Sequence, residues 1–199
     1  MPINTSKVFV GTPDQLTTGA VLHAPLGTQL PDLDDITPSG VTIDEAFKDG
    51  GYVSSDGVTI TPDYSTTDIN DWSGATVRRI LESFTGEVSY AFIQTDETSM
   101  AMTFGESNVE SSPADATHGN RMKIGIGAEL PPAESVIFKM KDGAARILIL
   151  LPNSQVTSME DIAFSATDAV TWSVTRSCYP DENGKSIYIL TDDGQVASA

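Results

Sequence analysis

The chain has 199 residues, 39% of them apolar, and a mean hydropathy of −0.10, which suits one domain with a real core and excludes both a membrane protein and a disordered one. Its 28 acidic and 11 basic residues give a formal net charge of −17, a surface that repels nucleic-acid phosphates instead of gripping them. No apolar run approaches membrane-spanning length, and the single Cys178 rules out an internal disulfide framework.

The segment Met1-Pro2-Ile3-Asn4 has neither a basic n-region nor an apolar h-region, so no secretory signal is expected. Residues 1–19 read as a polar N-terminal arm with one short apolar run, Val8-Phe9-Val10, ended by Gly11. Residues 20–25 predict a first strand, closed by Pro25 and Gly27. Residues 31–51 carry Pro31, Pro38, Gly40, Gly50 and Gly51 together with Asp32, Asp34, Asp35, Asp44 and Glu45. This is a long acidic loop with a turn of helix expected around residues 44–48, and loops beyond ~15 residues in a compact domain are usually functional or disordered. Tyr52-Val53 and Val58-Thr59-Ile60 flank Ser54-Ser55-Asp56-Gly57, and Asp-Gly between β-prone runs predicts a tight hairpin that Pro62 ends. Residues 64–69 read as another short strand, and Trp72-Ser73-Gly74 as a turn.

Residues 76–105 form the centre of the chain. Apolar residues fall on even positions, at Ile80, Phe84, Val88, Tyr90 and Phe92, while Glu82, Glu87, Ser89 and Gln94 interrupt or oppose them. That is period 2, a strand with one wet and one dry face. Gly86 interrupts it, and the sequence is compatible with one long kinked strand or with two strands in a hairpin. Strict alternation puts Glu82 on the face of Phe84 and Val88, with Glu87 and Ser89 opposite. Asp96 then caps a short helix that holds Met100, Met102 and Phe104 and stops at Gly105.

After a polar loop over residues 106–120, strands are predicted at about 122–126, 135–140, 145–151, 170–177 and 186–190. Asp142-Gly143 and Asn183-Gly184 read as hairpin turns, and Ser158-Met159-Glu160-Asp161 as a turn. Regular short strands with turn signals predict an all-β sandwich or barrel with one helix, residues 1–199 forming a single domain without repeats.

No constellation of catalytic residues stands out. His23 and His118 lie far apart without neighbouring Cys or His, which does not fit a zinc site. Asp181-Glu182-Asn183-Gly184 lacks the Gly position and distal Glu of a calcium loop, and Asp32, Asp34 and Asp35 read as a solvated loop. No metal, cofactor or catalytic residue is therefore expected.

Phe47-Lys48-Asp49-Gly50-Gly51-Tyr52-Val53-Ser54-Ser55-Asp56-Gly57-Val58 is followed by Thr67-Asp68-Ile69-Asn70-Asp71-Trp72-Ser73-Gly74, then by the long strand and the helix ending in Phe104-Gly105. This order resembles the major tail protein, or tail tube protein, of long-tailed bacteriophages, of the actinobacteriophage type. Val8-Phe9-Val10-Gly11, Gly19-Ala20-Val21 and Ala24-Pro25-Leu26-Gly27-Thr28 are similar to the same family, so the resemblance covers residues 8–105. It implies a mainly β fold, a β-sandwich or partial barrel with one short flanking α-helix and long assembly loops. It implies a structural virion protein without catalysis, assembled in the host cytoplasm as stacked hexameric rings that form the tail tube. The partners it implies are further copies of the chain, a tape-measure protein, and tail terminator and tip proteins. Double-stranded DNA would pass without specific binding, and no membrane is involved.

On that reading the loop over residues 31–51 is an arm that reaches a neighbour, and Asp32, Asp34, Asp35, Phe47, Tyr52 and Trp72 lie at a subunit interface. Glu87 and Ser89 face the lumen, and at least one of Arg78 and Arg79 pairs with a neighbouring carboxylate. The alternative is an acidic β-sandwich module for carbohydrate binding or adhesion, with Tyr52, Tyr64 and Trp72 as its aromatic platform. A hydrolase using scattered carboxylates is a third, weaker alternative.

Overall fold

The computed structural model describes residues 8–14 and 19–196, and within them the period-2 segments join into a nine-stranded sheet. In chain order the strands are β1 (Thr12–Pro13), β2 (Val21–Pro25), β3 (Ile36–Thr37), β4 (Gly40–Val41), β5 (Lys48–Asp49), β6 (Val53–Asn70), β7 (Thr76–Phe92), β8 (Val109–Ser112), β9 (Arg121–Ile124), β10 (Glu134–Asp142), β11 (Ala145–Met159), β12 (Trp172–Cys178) and β13 (Tyr188–Asp192). Helix α1 (Glu97–Phe104) follows β7. The sheet runs β5-β2-β10-β11-β12-β7-β6, with β1 joined to β10 and β13 to β11, while β3–β4 and β8–β9 are separate hairpins. This is mainly β with one short flanking helix, as the turn spacing predicts, and the sheet is open. Of the expected N-terminal arm, residues 1–7 and 15–18 lie outside the described residues.

Residues 76–92 are one continuous strand, so the alternative of a hairpin at Gly86 falls away. The other half of the hairpin is β6, also continuous, and here the sequence misleads. Ser54-Ser55-Asp56-Gly57 is not a hairpin turn. It is an interruption within β6, where pairing passes from Val53–Phe92 to Val58–Tyr90 and Gly57 adopts φ +71°. The positive φ that makes Asp-Gly a turn signal serves an irregular ladder equally well. Pro62 does not end the strand either. It sits opposite Gly86 in the last strand of the sheet, where a residue without an N–H is tolerated. The actual turn is at Asp71–Ala75, where the Asp71 carboxylate accepts from the backbone N–H of Ser73 (2.8 Å) and of Ala75 (3.0 Å).

Three more expectations change. β11 continues through Pro152 to Met159, so residues 158–159 are strand and not turn. The polar loop after the helix holds β8, paired with β9. Asn183-Gly184 is a turn, but β12 and β13 do not pair across it: β13 lies against β11 at Arg146–Leu150, and β12 pairs with β11 beyond it, at Ser154–Met159.

Two apolar clusters hold the sheet. Val88, Tyr90 and Phe92 of β7, Val136 and Phe138 of β10 and Val174 of β12 pack with Met100, Met102 and Phe104 of α1. The helix is held there by a reciprocal cap: Asp96 Oδ1 accepts from Ser99 N–H (2.8 Å), and Asp96 N–H donates to Ser99 Oγ (3.2 Å). Ile137, between Val136 and Phe138, points to the other face, where Leu22, Ala24, Leu148 and Leu150 meet Ile36 and Phe47. β10 and the first half of β11, residues 145–151, are therefore buried on both faces and read as nearly continuous apolar runs.

Ile36 and Phe47 belong to the 31–51 loop, which is folded back onto its own sheet. Its Asp32 caps a 3-10 turn, Leu33–Asp35, with Asp35 reaching back to the Asp32 N–H (2.9 Å). The helical turn expected at 44–48 is a hydrogen-bonded turn, Phe47 N–H to Asp44 C=O (3.1 Å), leading into β5.

Candidate assembly surface

β7 has two halves. From Gly86 to Phe92 burial alternates as the sequence predicts, but residues 76–85 are exposed on both faces. The partnering residues 63–70 of β6 are exposed throughout as well. The far half of the β6–β7 hairpin is thus a two-stranded ribbon standing clear of the body. At about 3.3 Å per residue, its eight residues on β6 extend it by roughly 26 Å. It carries apolar side chains that none of the described residues covers: Tyr64, Ile69, Val77, Ile80, Leu81 and Phe84 are exposed, and Trp72 at the tip is fully so. An isolated two-stranded hairpin is marginal in water. β6 is also the last strand of the sheet, so one of its edges is unpaired along most of its length.

Two local devices stiffen the ribbon. Arg79 grips Asp68 with Nε and Nη2 at 2.7 and 2.9 Å, fulfilling the expectation that one of the two arginines pairs. Arg78 makes no such pair among the described residues and is exposed. Glu82 accepts from the hydroxyls of Ser65 and Thr67. Strict alternation fails at this point because the register slips between Ser65 and Thr66, which carries Glu82 to the face of Ser65 and away from Phe84.

Behind the ribbon, the sheet has a polar face. Glu87 is exposed, and Ser89 is half-buried with its hydroxyl 2.9 Å from that of Thr175. In register with them lie Thr59 and Thr61 of β6 and Ser177 of β12, whose hydroxyl is 2.8 Å from that of Thr157. The face is rich in hydroxyls and carries Glu87, with Asp56 and Glu160 beside Ser89 and Thr175.

The other residues singled out from the sequence are dispersed. Asp32 and Asp35 cap their own turn, Asp34 is exposed beside them, and Phe47 is spent on the core of its own chain. Tyr52 is exposed at the foot of β6, and its backbone N–H donates to Gln94 Oε1 (3.2 Å). Among the described residues no three His, Cys, Asp or Glu side chains converge to hold a metal ion, and no helix is long and apolar enough to cross a membrane.

Sequence reasoning missed a buried polar pillar beneath the surface. Arg176 of β12 is 1% exposed. Its Nε donates to Tyr90 Oη (3.0 Å), and its Nη2 to the Met102 carbonyl and to Glu134 Oε2 (both 2.9 Å). Glu134 Oε1 lies 3.2 Å from His23 Nδ1. One guanidinium thus ties β12, β7, α1 and β10 together, and the carboxylate extends the tie to β2. The signal was present: Arg176 shares its parity with Trp172, Val174 and Cys178, all buried, and a lone cation in the dry register of a strand needs a buried partner. Burial pushes the Glu134 carboxyl up, but its hydrogen bond with His23 and the Arg176 charge outweigh this and hold it below its ordinary value of 4.5.

A carboxyl depressed in the folded state stabilises the fold fully above its unfolded value, and this stabilisation is lost as pH falls through the folded value. Between pH 6 and pH 3 the urea midpoint of the native chain should therefore fall more steeply than that of Glu134→Gln. Parallel profiles would show that the pair contributes nothing.

The model of a family described as phage tail tube protein matches residues 1–199. No curated protein matches the chain. Among solved structures it is similar to a chain of the anti-feeding prophage cap, a tube-terminating cap, at 11% identity over 96% of this chain and 100% of that one, with a TM-score of 0.46. It is also similar to a chain of the sheath-tube complex of an extracellular contractile injection system, at 10% identity over 96% and 99% with a TM-score of 0.44. For the tail of an empty gene transfer agent particle with C6 symmetry, the values are 15% identity, 72% and 85% coverage and a TM-score of 0.38.

Proposed function

The chain belongs to the phage tail tube protein family, and from that premise we propose that it acts as a single domain, residues 1–199, whose copies close into hexameric rings and stack into the tail tube. It is a structural component of the virion tail and not an enzyme. The tube is a conduit for genome ejection, built in the host cytoplasm around a tape-measure protein and closed by terminator and tip proteins. The observation that carries this reading is the β6–β7 ribbon, with bare apolar side chains on a long strand whose outer edge is unpaired. Such an edge aggregates unless another chain covers it, and copies of the same chain do so in closed rings.

The polar face around Glu87, Ser89, Thr59 and Thr175 is the face proposed to line the lumen. Hydroxyls and a carboxylate offer duplex DNA no cation to bind, so it slides without trapping. In this reading Tyr52 and Trp72 meet neighbouring subunits, as do the exposed Asp32 and Asp34 and the half-buried Asp35, while Phe47 supports the loop from within. A flat glycan platform is not favoured, because the Tyr64 ring leans on Phe84 at 52° with centroids 4.9 Å apart.

Six copies at −17 each place about 100 negative charges on a ring, so repulsion opposes assembly. Screening shortens from roughly 30 Å at 0.01 M salt to about 8 Å at 0.15 M. The sedimentable fraction of purified protein should therefore rise over this range. A steady fall would mean that carboxylates are attractive partners at the contacts, against this account.

A further inference from the structure

The surface at the other end of the sheet offers a seat for the ribbon. A groove of about 790 Å³ lies between the end of β2, β5 and the segment before β10. Pro25, Leu26, Leu130 and Pro132 give it apolar walls, and Leu26 and Leu130 are both exposed. Its volume falls in the roughly 300–1,000 Å³ range in which proteins seat a compact group. Glu106 and Glu129 stand at its mouth, Glu97 lines the adjoining cleft, and Lys48 is the lysine among them. His23 is also part of the lining, and its Nε2 is buried without a hydrogen-bond partner among the described residues. An orphaned polar atom there marks a surface whose contacts are incomplete in the isolated chain.

What fits this groove is the ribbon tip. Trp72 is its most exposed apolar side chain, and an aromatic ring is the kind of anchor that fills an interface pocket. Between Tyr64 and Leu81, two aspartates (Asp68, Asp71) and two arginines (Arg78, Arg79) cancel, so this stretch is neutral in a chain of net charge −17. It brings Arg78, which makes no ion pair among the described residues, towards the acidic mouth. The sheet order decides between self and neighbour. The ribbon is β6–β7 at one end, and the groove is built on β2 and β5 at the other. A contact that joins opposite ends of identical subunits is heterologous, and repeated it closes a ring or runs on as a filament.

We propose that the groove walled by Leu26 and Leu130 receives the β6–β7 tip of a second copy, with Trp72 inserted and Arg78 facing Glu106 and Glu129. This rests on the tube reading and names the contact that makes the tube.

The test mixes two populations under assembling conditions, one carrying Trp72→Cys and the other Leu130→Cys. Both sites are exposed, so neither substitution disturbs the core. Cys178 can stay, because burial pushes its thiol up to about 12 and keeps it unreactive. Oxidation, or a short thiol-to-thiol linker, should give a linked dimer at least about tenfold more abundant than when Thr117→Cys replaces Leu130→Cys. In the native chain, the acrylamide quenching that Trp72→Phe removes should drop several-fold on assembly. Tubes that sediment normally without the 72–130 link, and with Trp72 quenched as in the monomer, would overturn the groove assignment and leave the tube reading intact. Failure of the native chain itself to sediment at any salt or concentration would remove the tube reading, and this contact with it.

Discussion

Replacing residues 66–82 by Asn-Gly should leave a folded monomer that no longer forms tubes. Ser65 and Ser83 face each other across the ladder, so a two-residue turn joins them in register. The segment removed is exposed along its length and holds none of the side chains of either apolar cluster. Far-UV circular dichroism and the unfolding midpoint should therefore stay close to those of the native chain. Assembly is different, because the deletion takes away Ile69, Trp72, Val77, Ile80 and Leu81. Fully burying each such side chain is worth about 1.5–3 kcal/mol. Even two of them per contact, at about tenfold per 1.4 kcal/mol, raise the concentration needed for assembly at least about 100-fold. Tubes of normal yield from this variant would show that the ribbon does not hold subunits together.

Arg176→Met should be the most damaging single substitution within the fold. It leaves Glu134 buried without its cation and removes the donors that satisfy Tyr90 Oη and the Met102 carbonyl. Breaking a buried pair by deleting one partner costs about 3–5 kcal/mol. For a domain of this size that corresponds to a fall in unfolding midpoint of roughly 6–20 °C. Because the cost is that of an uncompensated charge, Arg176→Met combined with Glu134→Gln should lose clearly less than the two single losses added together. Strict additivity would mean that the two groups do not act as a pair.

Local structure was largely legible in the sequence, and long-range pairing much less so. The cap at Asp96, the stop at Gly105 and the alternation from Gly86 to Phe92 rest on nearest-neighbour chemistry, and each is found as predicted. The assignment of Glu87 and Ser89 to the wet face of β7 follows from the same period. Asp56-Gly57 was misread because a positive φ marks a hairpin turn and an irregular ladder alike. The partner of β13 could not be read because a sound turn at Asn183-Gly184 leads to a strand that pairs elsewhere. The ribbon was hidden because its apolar residues look like core: Ile80 and Phe84 have the parity of Val88, yet no layer of the described residues lies over them. That contradiction between pattern and exposure distinguishes a surface meant for another chain from one meant for water.

The most direct test of the account is a cryo-electron microscopy map of tubes grown from the purified chain at moderate salt. The account predicts stacked closed rings in which Trp72, Val77 and Leu81 are buried against a neighbouring copy, while Glu87 and Ser89 border the lumen. Tubes in which the β6–β7 ribbon stands free in solvent, or a chain that stays monomeric at every concentration and salt, would contradict it.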